Sequence, residues 1–243
     1  RISLLIDERY NLGKNLKDME LRALQAQINP HFLYNTLDLI AWKAMASGNQ
    51  ETVDIVVKLA RFYRLSLNNG RDFLPLSDEV EHVRLFVELT NLCRGRAVRL
   101  VTEVAPNIAD YPIMKLILQP IVENSLFHGL YELSDRAGVI RLTAGQIGSY
   151  VQIQIADNGV GMEKSKLAEL LAKKDKPAVN TKRGGYGIGN ILERLRIYHD
   201  DRFTFQIESA ILTGTTVTIR IPHSRNDLPQ IHAERTMNPP EEN

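Results

Sequence analysis

The chain has 243 residues, 44% hydrophobic and 24% charged, enough apolar material for one large domain or two small ones. Thirty lysines and arginines against twenty-nine aspartates and glutamates leave a formal charge of +1, so no broad basic field invites a nucleic acid or an anionic membrane. The single cysteine, Cys93, rules out an internal disulfide, no Cys/His spacing suits zinc, and no apolar run reaches the roughly 18 to 20 residues of a membrane helix. These features fit a soluble chain in a reducing cytoplasm. The sequence opens at Arg1, without an initiator Met and already in helical register, which suggests an upstream region that this chain lacks.

From Ile2 the apolar residues fall on a heptad seam, Ile2, Leu5, Leu12, Leu16, Met19, Ala23 and Ala26, then Leu33, Leu37, Ile40 and Ala44, which predicts one long helix. Ser47-Gly48-Asn49 marks a turn, and Val53, Val56, Val57, Ala60, Tyr63 and Leu67 continue at helical spacing to Asn68-Asn69-Gly70. The two helices form a hairpin over 1–70. Its apolar stripe is wide enough that two copies could pair as a four-helix bundle, or the hairpin could pack on the rest of its own chain. Beyond Pro75, Ser77 is a candidate N-cap for a helix with Asp78 and Glu79 in its first turn, ending near Cys93. Strands are expected over 98–104, 139–144, 151–156, 203–208 and 215–221, and helices over 113–128, 163–172 and 188–198. The fold class is therefore α+β: a helical hairpin, an α/β layered domain over 71–222, and a polar, proline-bearing tail over 223–243 expected to be disordered.

Gln27 to Asn35 reads Q-I-N-P-H-F-L-Y-N, in the middle of the first predicted helix, where Pro30 would cost about 3 kcal/mol. In the heptad frame His31 falls on the flank of the seam, reachable by a second domain, and Asn35 shares its face one turn on. Neutral imidazole is a capable nucleophile near physiological pH, although a lone helical histidine is more often structural. Further on, Asn124 and His128 are four apart on one helix, and an Asn oxygen is a hard ligand suited to Mg²⁺ on nucleotide phosphates. Asp157-Asn158-Gly159-Val160-Gly161 follows a strand and reads equally as a hairpin turn or as a ligand loop. Gly184-Gly185-Tyr186-Gly187-Ile188-Gly189, running straight into a helix, favours the second reading, because such glycines let backbone amides approach an anion. It is neither a P-loop nor a dinucleotide fingerprint. Between the two clusters lies a Lys-rich stretch with Lys182 and Arg183, suited to a lid over a nucleotide or to a solvated loop.

In order, these segments resemble the H, N, G1 and G2 boxes of sensor histidine kinases, and N-P-H-F-L-Y-N with P-I-V-E-N resembles the LytS/YesM subfamily in particular. The resemblance implies a dimeric histidine-phosphotransfer hairpin followed by a Bergerat-type α/β sandwich of the GHKL class that binds ATP and Mg²⁺. It implies His31 as the phosphoacceptor, Asp157 as the acceptor of the adenine amino group with Gly159 and Gly161 shaping its turn, and Asn124 as the Mg²⁺ ligand, with His128 beside it. Gly185, Gly187 and Gly189 would line the phosphates, helped by Lys182 and Arg183, with Thr215 near the adenine. Many such kinases carry an acid right after the histidine; here Phe32 stands there, leaving Glu123 or water as the base. Asn35 occupies the offset of a water-orienting residue in partner dephosphorylation. The implied partners are a second copy, a response-regulator receiver domain and, through the lacking N-terminal region only, the bacterial membrane; nucleic acid is not among them. Two rival expectations are an ATP-binding dimeric scaffold and a GHKL-type ATPase that leaves His31 unphosphorylated.

Overall fold

The computed structural model of the chain describes residues 30–95, 97–133, 137–172, 186–200 and 202–223. The seam from Ile2 to Ala26, the segment holding Lys182, Arg183 and Gly185, and the tail after His223 lie outside the described residues. The chain divides into two compact units, Arg1–Arg64 and Leu65–Asn243.

In the first unit, α1 (Pro30–Ala46) is joined by a tight turn to α2 (Gln50–Leu67), whose last residues belong to the second unit. Gly48 takes φ +72°, where a side chain would be strained, and the Thr52 N–H donates to Asn49 Oδ1 at 3.0 Å, capping α2. Leu37, Val56 and Ala60 are buried together, with Leu33, Ala41 and Leu59 packed against them. The expected stripe is only partly covered. Ile40 and Val57, which periodicity placed on it, are 43% and 54% exposed, and Phe32, Leu39, Trp42 and Met45 are exposed as well.

The second unit is built on a five-stranded sheet of β2 (Arg99–Val104), β4 (Val139–Ile147), β5 (Tyr150–Asp157), β6 (Thr204–Ala210) and β7 (Gly214–Pro222) in the order β2-β4-β5-β7-β6. Only β2 and β4 run parallel; the other pairs are antiparallel. Alternation puts Ile140 and Leu142, Ile153 and Ile155, and Val217, Ile219 and Ile221 on one buried face. Against these strands lie residues of three helices, α3 (Leu76–Arg94), α4 (Gln119–Asn124) and α6 (Tyr186–His199), through Val83 and Val87, Ile121 and Val122, and Ile191 and Leu195. A further helix, α5 (Lys164–Ala172), follows β5. All five expected strands are present within a few residues of their predicted limits. The helical hairpin followed by a mixed α/β layer is the expected fold class.

Two expectations need correction. The α3 helix starts at Leu76, so Ser77 lies inside it rather than capping it. Its first free amides are satisfied at a distance, Leu76 N–H by Tyr111 O at 2.8 Å and Ser77 N–H by Ala109 O at 2.9 Å. The helix expected over 113–128 is broken. Pro112–Met114 forms β3, which pairs antiparallel with β1 (Phe73–Pro75) in a small second sheet. Leu116 then turns through φ +59°, a left-handed conformation costing a non-glycine residue about 1–2 kcal/mol. α4 begins only at Gln119 and passes into a π-helical turn over Ser125–Leu130, in which the Tyr131 N–H reaches back five residues to Leu126 O at 2.9 Å.

Candidate functional site

Asp157 ends β5 as a buried carboxylate, 8% exposed, placed directly opposite Thr215 on β7. Its Oδ1 accepts the N–H groups of Gly159 at 2.9 Å and Thr215 at 3.2 Å, and its Oδ2 accepts the Ser125 hydroxyl at 2.7 Å. The loop that follows is not a hairpin turn, since it leads from β5 into α5 and not into a strand paired with β5. Asn158 ties it to the chain entering β4: Oδ1 accepts from Val139 N–H at 2.7 Å and Nδ2 donates to Ala137 O at 3.0 Å. Two glycines are required by contact. A methyl group on Gly159 would stand 2.7 Å from Asp157 Oδ1 and from the Gly129 backbone, and one on Gly161, at φ +68°, would stand 1.9 Å from Ala210 O.

A cavity of about 410 Å³ opens beside this carboxylate, within the range of small-molecule sites. Asn124, Ser125, His128 and Gly129 line it from α4 and the π-helical turn, Gly161 and Met162 from the loop after β5, Lys166 and Glu169 from α5, Gly187 and Gly189 from the start of α6, and Thr215 from β7. Thr215 is held by its side chain as well as its amide, its Oγ1 lying 2.9 Å from Ser209 Oγ. The two helices that wall the cavity meet closely. A methyl group on Gly187 would stand 3.2 Å from Pro120 Cβ and 4.0 Å from Asn124 Nδ2.

The fold thus gathers Asn124, His128, Gly161, Gly187, Gly189 and Thr215 around one cavity, with Asp157 bonded to its lining through Thr215 and Ser125, and Gly159 bonded to Asp157. Glu123 is exposed and lies outside that lining. His31 and Asn35 belong to the other unit, where the Asn35 amide donates from Nδ2 to His31 Nδ1 at 3.2 Å. Sequence reasoning missed Ser125 and Gly129, although they directly follow Asn124 and His128 in the chain. It also missed Lys166 and Glu169, which are spaced like any solvated helix face.

The family described as "Histidine kinase" matches residues 19–98, and the family described as "Histidine kinase-, DNA gyrase B-, and HSP90-like ATPase" matches residues 109–225. The chain belongs to the histidine kinases: the first match holds the hairpin with His31, the second four of the five strands of the sheet, the cavity and Asp157. Its relatives bear out the LytS/YesM resemblance. It is 32% identical over 228 residues to the sensor histidine kinase YesM of Bacillus subtilis (strain 168), covering 94% of this chain and 37% of that protein. It is 35% identical over 189 residues to the sensor protein LytS of Oceanobacillus iheyensis, covering 77% and 32%. The chain therefore spans about a third of the length of these curated relatives. A solved histidine kinase domain of the Erythrobacter litoralis EL346 blue-light activated histidine kinase aligns with a TM-score of 0.45 at 18% identity, covering 86% of this chain and 94% of that one. Among the described residues no helix is long and apolar enough to cross a membrane.

Proposed function

We propose that this chain is the phosphoacceptor and ATP-binding portion of a sensor histidine kinase, which transfers the γ-phosphoryl group of ATP to His31 and then to an aspartate of a response regulator. The observation that carries the nucleotide half of this reading is the wiring of Asp157. Two backbone amides occupy Oδ1 and the Ser125 hydroxyl takes one side of Oδ2, so the remaining acceptor capacity of a buried carboxylate selects a ligand that donates an N–H, as the amino group of adenine does. Thr215 and Ser125, both on the cavity wall, bracket that position.

At the other end, the amides of the glycine segment at the α6 N-terminus suit the phosphates. Asn124 would offer its amide oxygen to Mg²⁺. A single neutral amide oxygen suits an ion whose remaining ligands would be phosphate oxygens and water. Such an ion, when bound, neutralises charge on the phosphates. The His31 ring attacks the γ-phosphorus in line as the bond to the bridging oxygen breaks; a P–N bond forms, ADP leaves with the electron pair, and the second ring nitrogen passes its proton to water. The phosphoryl group then passes to the regulator's carboxylate as the P–N bond breaks, and the ring takes up a proton from water to restore the imidazole. The exposed apolar side chains of the hairpin, Phe32, Trp42, Met45 and Val57, support a second copy of the chain as partner.

Incubation with γ-labelled ATP and Mg²⁺ tests the reading. Acid-labile, alkali-stable label on the wild type and none on His31→Gln is the expected result. Nucleotide binding without label in either would replace the kinase with a binding scaffold, and steady ATP hydrolysis that survives His31→Gln would replace it with an ATPase.

A further inference from the structure

Glu79 lies far along the chain from every motif that marks the nucleotide cavity, yet its carboxylate is 1% exposed and carries three bonds to one short turn. Its Oε1 accepts the N–H groups of Ile117 at 2.8 Å and Leu118 at 3.0 Å, and its Oε2 that of Leu116 at 3.0 Å. Three successive amides thus converge on one side chain. The next residue, Gln119, begins α4, the helix that ends in Asn124. On the other side of the same turn, Arg194 of α6 donates from Nη2 to Lys115 O at 2.8 Å. α6 is the helix whose first residues, Gly187 and Gly189, line the cavity opposite Asn124.

We propose that Glu79 is a positioning residue for nucleotide binding: from α3 it fixes the turn 116–118, and with Arg194 it sets the spacing of the two helices that present Asn124 and the glycine segment to the ligand. The inference rests on the reading that ATP occupies this cavity. Three observations carry it. The turn does not hold its own shape, because Leu116 adopts φ +59° without being glycine and all three amides are satisfied by a side chain from elsewhere in the sequence. The helices it joins have no slack, since Gly187 meets Pro120 at a distance that already excludes a methyl group without adjustment. And an apolar residue of similar size at position 79 could fill the space but could not gather the amides, so packing alone does not account for a carboxylate there.

The test compares MgATP binding by calorimetry with thermal unfolding for the full chain, wild type and Asp157→Asn, Glu79→Gln, Glu79→Ala and Arg194→Met. Glu79→Gln can keep the two bonds at Oε1 but sets its NH₂ against the Leu116 N–H. It is expected to bind MgATP about 5- to 10-fold more weakly with its melting temperature within a few degrees of wild type, and with faster amide exchange confined to 116–124. Arg194→Met is expected to lose a few-fold and Glu79→Ala on the order of 100-fold. Folded Glu79→Gln and Arg194→Met proteins that bind MgATP as wild type does would overturn the proposal, as would an affinity loss seen only where a variant begins to unfold. Should Glu79→Ala fail to fold, the glutamine and Arg194 variants decide the matter. A wild-type chain that does not bind MgATP, or an Asp157→Asn protein that binds it unchanged, removes the reading beneath the inference and the inference with it.

Discussion

Asp157 shows how much chemistry one position concentrates. Exchange for Asn keeps the shape but places an NH₂ on one side of a group otherwise surrounded by donors. Asp157→Asn is expected to weaken ATP binding at least 100-fold, about 2.7 kcal/mol, in a calorimetric titration. Ser125→Ala removes a single bond at Oδ2 and is expected to cost about 1 kcal/mol, near fivefold, in the same measurement. Gly161→Ala is of another kind. Its methyl group would meet the Ala210 carbonyl, so denaturant unfolding should report a loss of several kcal/mol as well as lost binding. At this scale the sequence was legible wherever a residue announces its chemistry, as Asp157, Gly159 and Gly161 do between a strand and a loop. Ser125 and Gly129 were not, because a serine that orients a carboxylate 32 positions away looks like any serine until the sheet has formed. Glu79 was read as first-turn charge compensation for a helix, and only the long-range turn gives it a second task.

Elements were legible in proportion to their regularity. Strands with clean alternation were found, whereas β1 and β3, three residues each, carry too few positions for any period to register. The helix predicted over 113–128 followed a sound apolar pattern that the tertiary structure overrides with the left-handed Leu116 and a strand pairing at Met114. α3 holds a second buried polar group, His82, whose Nε2 lies 2.7 Å from Ser66 Oγ; burial pushes its pKa down to about 4. Because the folded value lies below the unfolded value near 6.5, protonation favours unfolding. The neutral ring's contribution is full above pH 6.5 and falls by about 3 kcal/mol as the pH drops towards 4. Glu79 has the opposite slope: burial raises its pKa against the pull of three amides and Arg194, so the stability it contributes is lost as the pH rises through the folded value. Urea midpoints measured from pH 7 to pH 4.5 in wild type and His82→Gln isolate the histidine, since Glu79 cancels; the variant should show the shallower decline. In the hairpin, the chain's single tryptophan, Trp42, is 67% exposed. If a second copy covers this face, its emission should shift to the red on dilution, and Trp42→Glu should sediment as a monomer while still binding ATP.

The proposed phosphoacceptor and the proposed nucleotide cavity fall in different units of the chain. His31 belongs to the unit ending at Arg64, and every residue of the cavity belongs to the unit beginning at Leu65. A fragment of residues 65–243 is therefore expected to bind ATP within about threefold of the intact chain yet to form no phosphohistidine, measured by titration and by label transfer. The π-helical turn adds a different consequence. Such a turn is an α-helix carrying one surplus residue, and each residue rotates a helix by about 100°. A chain one residue shorter between Ser125 and Leu130 could close that turn with ordinary helical bonding, but its last residues would swing round and take His128 and Gly129 off the cavity wall. Length itself thus matters here: the surplus residue is a small standing defect in the helix, and a repair that made the fold more regular would dismantle one wall of the cavity.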